Sequence, residues 1–251
     1  MKTTSARLLL IGGKAKVCLN KLLEFAGGED AKIVILPHAS SIPEEVGPEM
    51  VETLTKLGAK RENVKLIMPG EELSFGEATA IYMLGGDQSD LVQRLGKDGR
   101  DLLKNAMDKG VLIAGTSAGA ACVGQLMITG GMTEDGDKTD ASTLVTDAGL
   151  ALVPGLVVDT HFAERGRFAR PLAAIRAAYR AGLGTTAGVG LDEDTAILLF
   201  VSEDGQLSFE VHGQSKVWYY QPTVTWEPSE NPGATTDHIQ VYETNFRVGK
   251  A

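Results

Sequence analysis

The chain is 251 residues long, 43% hydrophobic and 23% charged, which suits a soluble globular protein of one large α/β domain or two smaller ones. Its formal net charge of -9 excludes a general nucleic-acid surface or an anionic-membrane surface, since both need clustered lysine and arginine. Cys18 and Cys122 stand far apart among apolar residues, so they make neither a disulfide framework nor a metal-ligand pattern and are expected in the core. The first apolar run, Leu8 to Ile11, is too short for a signal-peptide core or a membrane span. A cytoplasmic location is expected, a leader removed from the native gene being left open.

In chain order, Leu8 to Ile11 reads as a buried parallel strand, because such strands are continuous apolar runs. Gly12-Gly13-Lys14 lacks the glycine spacing and the Ser/Thr of a phosphate loop and reads as a plain turn. A helix carrying Val17, Leu19, Leu22, Leu23 and Phe25 follows and stops at Gly27-Gly28. Ile33 to Leu36 is a second strand, after which His38 reads as a satisfied loop histidine, and Pro43 to Leu57 is a helix. Val64 to Met68 and Ala80 to Leu84 are further strands. The second runs into Gly85-Gly86-Asp87-Gln88, and loops at the carboxyl ends of parallel strands collect ligand-binding groups, so Gly86 and Gln88 become site candidates. Helices over Ser89 to Leu95 and Arg100 to Lys109 complete an alternation that predicts a doubly wound α/β layer.

The apolar run Val111 to Ala114 then breaks into Gly115-Thr116-Ser117-Ala118-Gly119-Ala120. A strand that ends in glycine, presents a serine and restarts as a helix of small residues is the pattern of a nucleophile elbow. After Leu126 to Ile128, the stretch from Gly130 to Asp140 is polar and acidic, and most of its carboxylates are expected in solvent. Leu156 to Phe162 is a strand ending in polar groups, and a helix starts at Pro171. The last third reads as mostly antiparallel strands: Gly188 to Asp194, Ala196 to Val201, Leu207 to His212, Lys216 to Tyr220 and Ile239 to Tyr242. The expected architecture is a single domain spanning 1–251: a three-layer, doubly wound, mostly parallel sheet extended by antiparallel C-terminal edge strands.

A serine hydroxyl is a weak nucleophile at neutral pH and needs a base, which in turn needs a group to hold its tautomer. His161, at the polar end of its strand, is the expected base. The common chain order serine, acid, histidine places the orienting carboxylate between Ser117 and His161, so Glu134 is the first choice, followed by Asp135 and Asp137. Asp159 lies two residues from His161 on the same strand face, awkward for reaching Nδ1, and is read as substrate-binding. The backbone N–H groups of Ala118 and Gly86 are expected to hold an oxyanion. Arg165, Arg167 and Arg170 cluster beside the base and suit bidentate capture of a substrate carboxylate, which points to an exopeptidase.

Four ordered motifs, Gly85 to Gln88, Gly115 to Ala120, Asp159 to Phe162 with Arg165 to Arg170, and Gly190 to Ala196, resemble those of cyanophycinases. These belong with dipeptidase E among serine peptidases of a class I glutamine-amidotransferase-like, flavodoxin-like fold. The resemblance implies hydrolysis of cyanophycin to β-Asp-Arg dipeptides, with Ser117 as nucleophile, His161 as base and Glu134 as acid. It implies a substrate pocket of Gln88, Asp159, Thr160, Arg165, Arg167 and Arg170, and a homodimer. Thr160 stands where cyanophycinases often have glutamine, which shortens a pocket wall. No metal or organic cofactor, nucleic acid or membrane is expected to take part. An Asp-specific dipeptidase is the alternative enzyme, and a non-catalytic amidotransferase-like binding protein the alternative outside enzymes.

Overall fold

The computed structural model of the chain describes residues 6–15, 17–131, 143–184, 187–223 and 238–244. Its organising layer is a seven-stranded sheet whose parallel part comprises β1 (Ala6–Ile11), β2 (Ile33–Leu36), β3 (Val64–Leu66), β4 (Ala80–Met83) and β5 (Leu112–Thr116). β2, β4, β5 and the Leu8–Ile11 part of β1 are short apolar runs buried on both faces, whereas the edge strand β3 exposes Lys65. Strands β10 (Thr195–Val201) and β11 (Leu207–Gly213) extend the layer antiparallel beyond β1, giving the order β11-β10-β1-β5-β4-β2-β3.

Successive residues of these strands feed opposite cores. Leu9, Ile11, Ile33, Ile35, Tyr82 and Ala114 pack under helices α1 (Cys18–Ala26) and α2 (Pro43–Lys56). Leu8, Leu10, Val34, Leu36, Met83 and Ile113 face α3 (Gln88–Asp108). Fully burying each Leu, Ile or Val contributes about 1.5–3 kcal/mol, so the alternation commits every strand to the middle of three layers. Helix α3 is two helical runs joined at Gly96, whose φ of 60° and ψ of -164° break the helix where the sequence reading separates them.

The remaining strands do not all extend the central sheet, contrary to the simple edge extension expected from sequence. Strands β8 (Leu156–Thr160), β9 (Ala187–Leu191), β12 (Val217–Thr223) and β13 (His238–Thr244) form a second sheet, ordered β13-β12-β9-β8. Val158, Val189, Leu191 and Val217 of this sheet share the α3-side core, so it covers part of that face as a further helix would. Gly190 makes the packing possible: a Cβ there would sit 2.6 Å from the Phe162 ring. Helix α5 (Arg170–Arg180) lies against β8 and β9, and β6 (Leu126–Gly130) pairs antiparallel with β7 (Val145–Ala148). Because β9 and β10 belong to different sheets, Asp192, Glu193 and Asp194 form the corner where the chain changes layer. Among the described residues, no helix is long and apolar enough to cross a membrane.

Candidate active site

The carboxyl ends of β1, β4 and β5 bring Gly12-Gly13-Lys14, Gly85-Gly86 and Ser117 to one edge of the sheet. The elbow is built as its glycines require. A Cβ at Gly115 would lie 2.1 Å from the Gly119 carbonyl oxygen, and one at Gly119 would lie 2.3 Å from that of Met83. Strand and the short helix α4 (Ala118–Ala121) can therefore cross only without side chains there. Ser117 itself is forced to φ 51°, and its N–H donates to the Ile11 carbonyl at 3.0 Å. Of five non-glycine residues with positive φ among the described residues, four lie here: Lys14, Ser117, His161 and Asp194. Such conformations cost of order 1 kcal/mol or more each and gather where geometry is imposed for function.

Ser117 Oγ lies 2.8 Å from His161 Nε2, and His161 Nδ1 lies 2.8 Å from Glu193 Oε1. A carboxylate can only accept, so Nδ1 carries the proton and donates to Glu193, which leaves Nε2 free to accept from the serine hydroxyl. The place expected for Glu134 is thus taken by Glu193; Glu134, Asp135 and Asp137 lie outside the described residues. The chain order is serine, histidine, carboxylate, because the corner between β9 and β10 projects its carboxylate at the end of β8. Lys14 and then His161 hold the Glu193 carboxyl below the usual range, so it stays ionised.

The ring of His161 is wedged by backbone. The backbone N–H of His161 donates to the Gly12 carbonyl at 2.8 Å, and a Cβ on Gly13 would come within 2.3 Å of Cε1. The plain turn of the sequence reading is therefore one wall of the site. On the other side, Gly86 at φ 143° packs so tightly on the Ala39 carbonyl that a Cβ would lie 2.0 Å from its oxygen. Arg94 donates to the carbonyls of His38 and Ser40 at 2.9 and 2.8 Å and anchors that loop. His38 is fully enclosed rather than satisfied: its Nδ1 has no partner, and burial, then Arg94, pushes its pKa down to about 4. Among the described residues the N–H groups of Gly86 and Ala118 have no hydrogen-bond acceptor within the protein.

The expected substrate residues fall into two groups. Asp159 is 2% exposed, and its two oxygens face Arg167 Nη1 at 3.1 Å and Arg170 Nε at 3.0 Å. Burial pushes its carboxyl upward while the arginines, Arg170 first, pull it back. Asp159 thus turns inward to two arginines, and Arg170 is itself buried. Arg167 also donates to the Thr160 carbonyl at 2.8 Å, and Thr160 is buried. Arg165 is exposed on the loop after His161, and Gln88 reaches the Ile128 carbonyl through Nε2 at 2.6 Å. Asp192, unassigned from sequence, braces the segment after His161 by accepting from Ala163 N–H, Ser215 Oγ and Trp218 Nε1 at 3.0, 2.8 and 3.2 Å. The signal for Glu193 and Asp192 was present as three carboxylates in a row at a strand end. Cys122 is wholly buried with its thiol pushed up to about 12, so it offers no second nucleophile.

A serine on a strained strand-to-helix turn of a doubly wound sheet, within reach of a histidine, is the arrangement of a serine hydrolase. Residues 8–206 match the model of Peptidase family S51, and the chain belongs to that family as a serine peptidase. It is 33% identical over 235 residues to a cyanophycinase of Geminocystis herdmanii (strain PCC 6308), covering 82% of this chain and 84% of that protein. It is 29% identical over 261 residues to a cyanophycinase of Trichormus variabilis (strain ATCC 29413 / PCC 7937), covering 98% of this chain and 84% of the relative. Among solved structures, a peptidase E candidate from Listeria monocytogenes EGD-e aligns with a TM-score of 0.56 at 20% identity, over 84% of this chain and 100% of that one. A peptidase from an acI-B1 actinobacterium aligns with a TM-score of 0.53 at 19% identity, over 86% and 90%. These structural likenesses concern the fold.

Proposed function

We propose that this protein is a serine exopeptidase that hydrolyses cyanophycin to β-Asp-Arg dipeptides through an acyl-enzyme on Ser117. The observation that carries the reading is the hydrogen-bonded line Ser117–His161–Glu193, at 2.8 Å for each contact, in a chain whose relatives are named cyanophycinases. His161 Nε2 takes the hydroxyl proton as Oγ bonds to the scissile carbonyl carbon, and Glu193 stabilises the imidazolium that forms. The carbonyl electron pair moves onto oxygen, where the free N–H groups of Ala118 and Gly86 receive it; one such donor is typically worth about 100-fold or more in rate. Collapse expels the leaving amine with the proton from His161. Water then repeats the sequence on the ester, giving its proton to Nε2 and releasing the carboxylic acid and Ser117.

Arg165 and the outer edge of Arg167 supply positive charge beside this centre, suited to a chain-terminal carboxylate. The test is incubation of the purified protein with insoluble cyanophycin, with mass spectrometry of the soluble products. The native protein is expected to release β-Asp-Arg, Ser117→Ala none, and Glu193→Gln about 10³–10⁴-fold less, since a neutral amide no longer stabilises the imidazolium. Turnover of Asp-X dipeptides with no release from cyanophycin would move the assignment to the dipeptidase, and undiminished release by Ser117→Ala would end the serine mechanism.

A further inference from the structure

The proton transfers proposed for Ser117, His161 and Glu193 pass through no atom of Lys14, yet Lys14 occupies the second oxygen of Glu193. Its Nζ lies 2.5 Å from Oε2 while Oε1 lies 2.8 Å from His161 Nδ1, so the carboxylate is gripped from both sides. The backbone that delivers this lysine is pinned at three points. Gly12 N–H donates to the Thr195 carbonyl at 2.9 Å, His161 N–H to the Gly12 carbonyl at 2.8 Å, and Asp194 N–H to the Gly13 carbonyl at 2.9 Å. Lys14 itself is held at φ 42°, which costs a residue with a β-carbon about 1–2 kcal/mol. A solvated turn residue has no reason to be held so, whereas a residue placed against the triad carboxylate does.

We propose that Lys14 is a positioning residue: its ammonium fixes the rotamer of Glu193 against His161 and balances part of the carboxylate's charge, so that Glu193 favours an imidazolium less than an unpaired carboxylate would. The proposal rests on the reading of His161 as the base. A lone carboxylate beside an imidazole favours the imidazolium, which stabilises the transition state but also leaves the base occupied before reaction. A cation on the far oxygen weakens that ground-state effect while leaving the carboxylate in place. The depression of the Glu193 carboxyl, due first to Lys14, accords with this balance. The lysine side chain is 71% exposed and Glu193 15%, so the effect is screened and must weaken with salt.

Other charged groups lie on the segments next to His161 and Glu193 and are unaltered in every variant below. Glu164 Oε1 accepts the Glu193 N–H at 3.2 Å, Asp192 accepts the Ala163 N–H at 3.0 Å, Asp194 follows Glu193, and Arg165 and Arg167 stand on the loop after His161. The experiment is a substrate-free NMR titration of the His161 Cε1–H signal, assigned with His161→Gln, in the native protein, Lys14→Met, Lys14→Arg and Lys14→Gly. In Lys14→Met the midpoint is expected to rise by roughly half a pH unit at low salt, and the difference to shrink by more than half at about 0.5 M salt. Lys14→Arg should return the midpoint to within about 0.2 units of native, because it restores the charge on the same carboxylate. Lys14→Gly removes the same charge but suits the positive φ, so it should show the same rise with an equal or higher melting temperature. A native midpoint in both Lys14→Met and Lys14→Gly would overturn the proposal. Failure of the serine-peptidase reading appears separately, as absence of Ser117 labelling by a sulfonyl fluoride in the native protein.

Discussion

Gly13→Ala isolates the wall behind His161. The new Cβ would stand 2.3 Å from His161 Cε1, 2.7 Å from Nδ1 and 2.8 Å from Nε2, with ordinary contact beginning near 3.4 Å. The ring must therefore retreat by about 1 Å, and a misplacement of that size is enough to cost about 100-fold in rate. Retreat breaks the alignment of Nε2 with Ser117 Oγ, so the loss falls on kcat and leaves KM near its native value. The backbone contributes separately: φ at Gly13 is 121°, where a β-carbon costs of order 1–3 kcal/mol in stability. Gly58→Ala supplies the control, since Gly58 has φ 111° and nothing within 4 Å of its would-be Cβ. Both variants should melt several degrees early, and only Gly13→Ala should lose peptidase turnover and sulfonyl fluoride reactivity together. Equal kcat for Gly13→Ala and the native protein would refute the claim that the Gly12-Gly13-Lys14 turn positions the base.

Two further outcomes follow from buried charge. Arg170→Ala leaves Asp159 with Arg167 as its remaining arginine partner; removing one member of so enclosed a pair typically costs about 3–5 kcal/mol, seen as a fall in melting temperature on the order of 10 °C. If instead the melting temperature holds and KM rises for carboxylate-bearing over amidated substrates, Arg170 is a substrate clamp after all. For His38, the folded pKa of about 4 lies below the ordinary 6.5, so between these values the unfolded chain binds more protons and stability must fall as pH falls. The loss amounts to at most about 3 kcal/mol, complete below about pH 4, and His38→Gln should flatten that part of a melting-temperature profile measured from pH 7 to 4. An identical slope in both proteins would show that the histidine is free to protonate in the folded state.

What the sequence by itself determined is the part of the protein in which local pattern and function coincide. Short apolar runs bounded by turn residues suit strands buried on both faces, so the positions of the parallel strands and their enclosing helices were legible, with ends differing by one or two residues. The elbow was legible for the same reason: Gly115, Ser117 and Gly119 are required by the crossing of adjacent segments, with contacts supplied by neighbours in the chain and by β4. His161 was legible as a polar residue ending an apolar strand.

What the tertiary structure alone decided is everything that depends on which layer a segment joins. Glu193 reaches His161 because the chain leaves one sheet and enters another at Asp192 to Asp194, and no periodicity marks a change of sheet. Asp159 is buried against Arg167 and Arg170, the latter carried by α5, and no sequence spacing marks that pairing. The turn at Gly12 to Lys14 looked featureless because its meaning lies in partners nearly 150 and 180 residues away, His161 and Glu193. Charges and loops take their roles from neighbours brought by folding, whereas strands and elbows take theirs largely from neighbours in sequence.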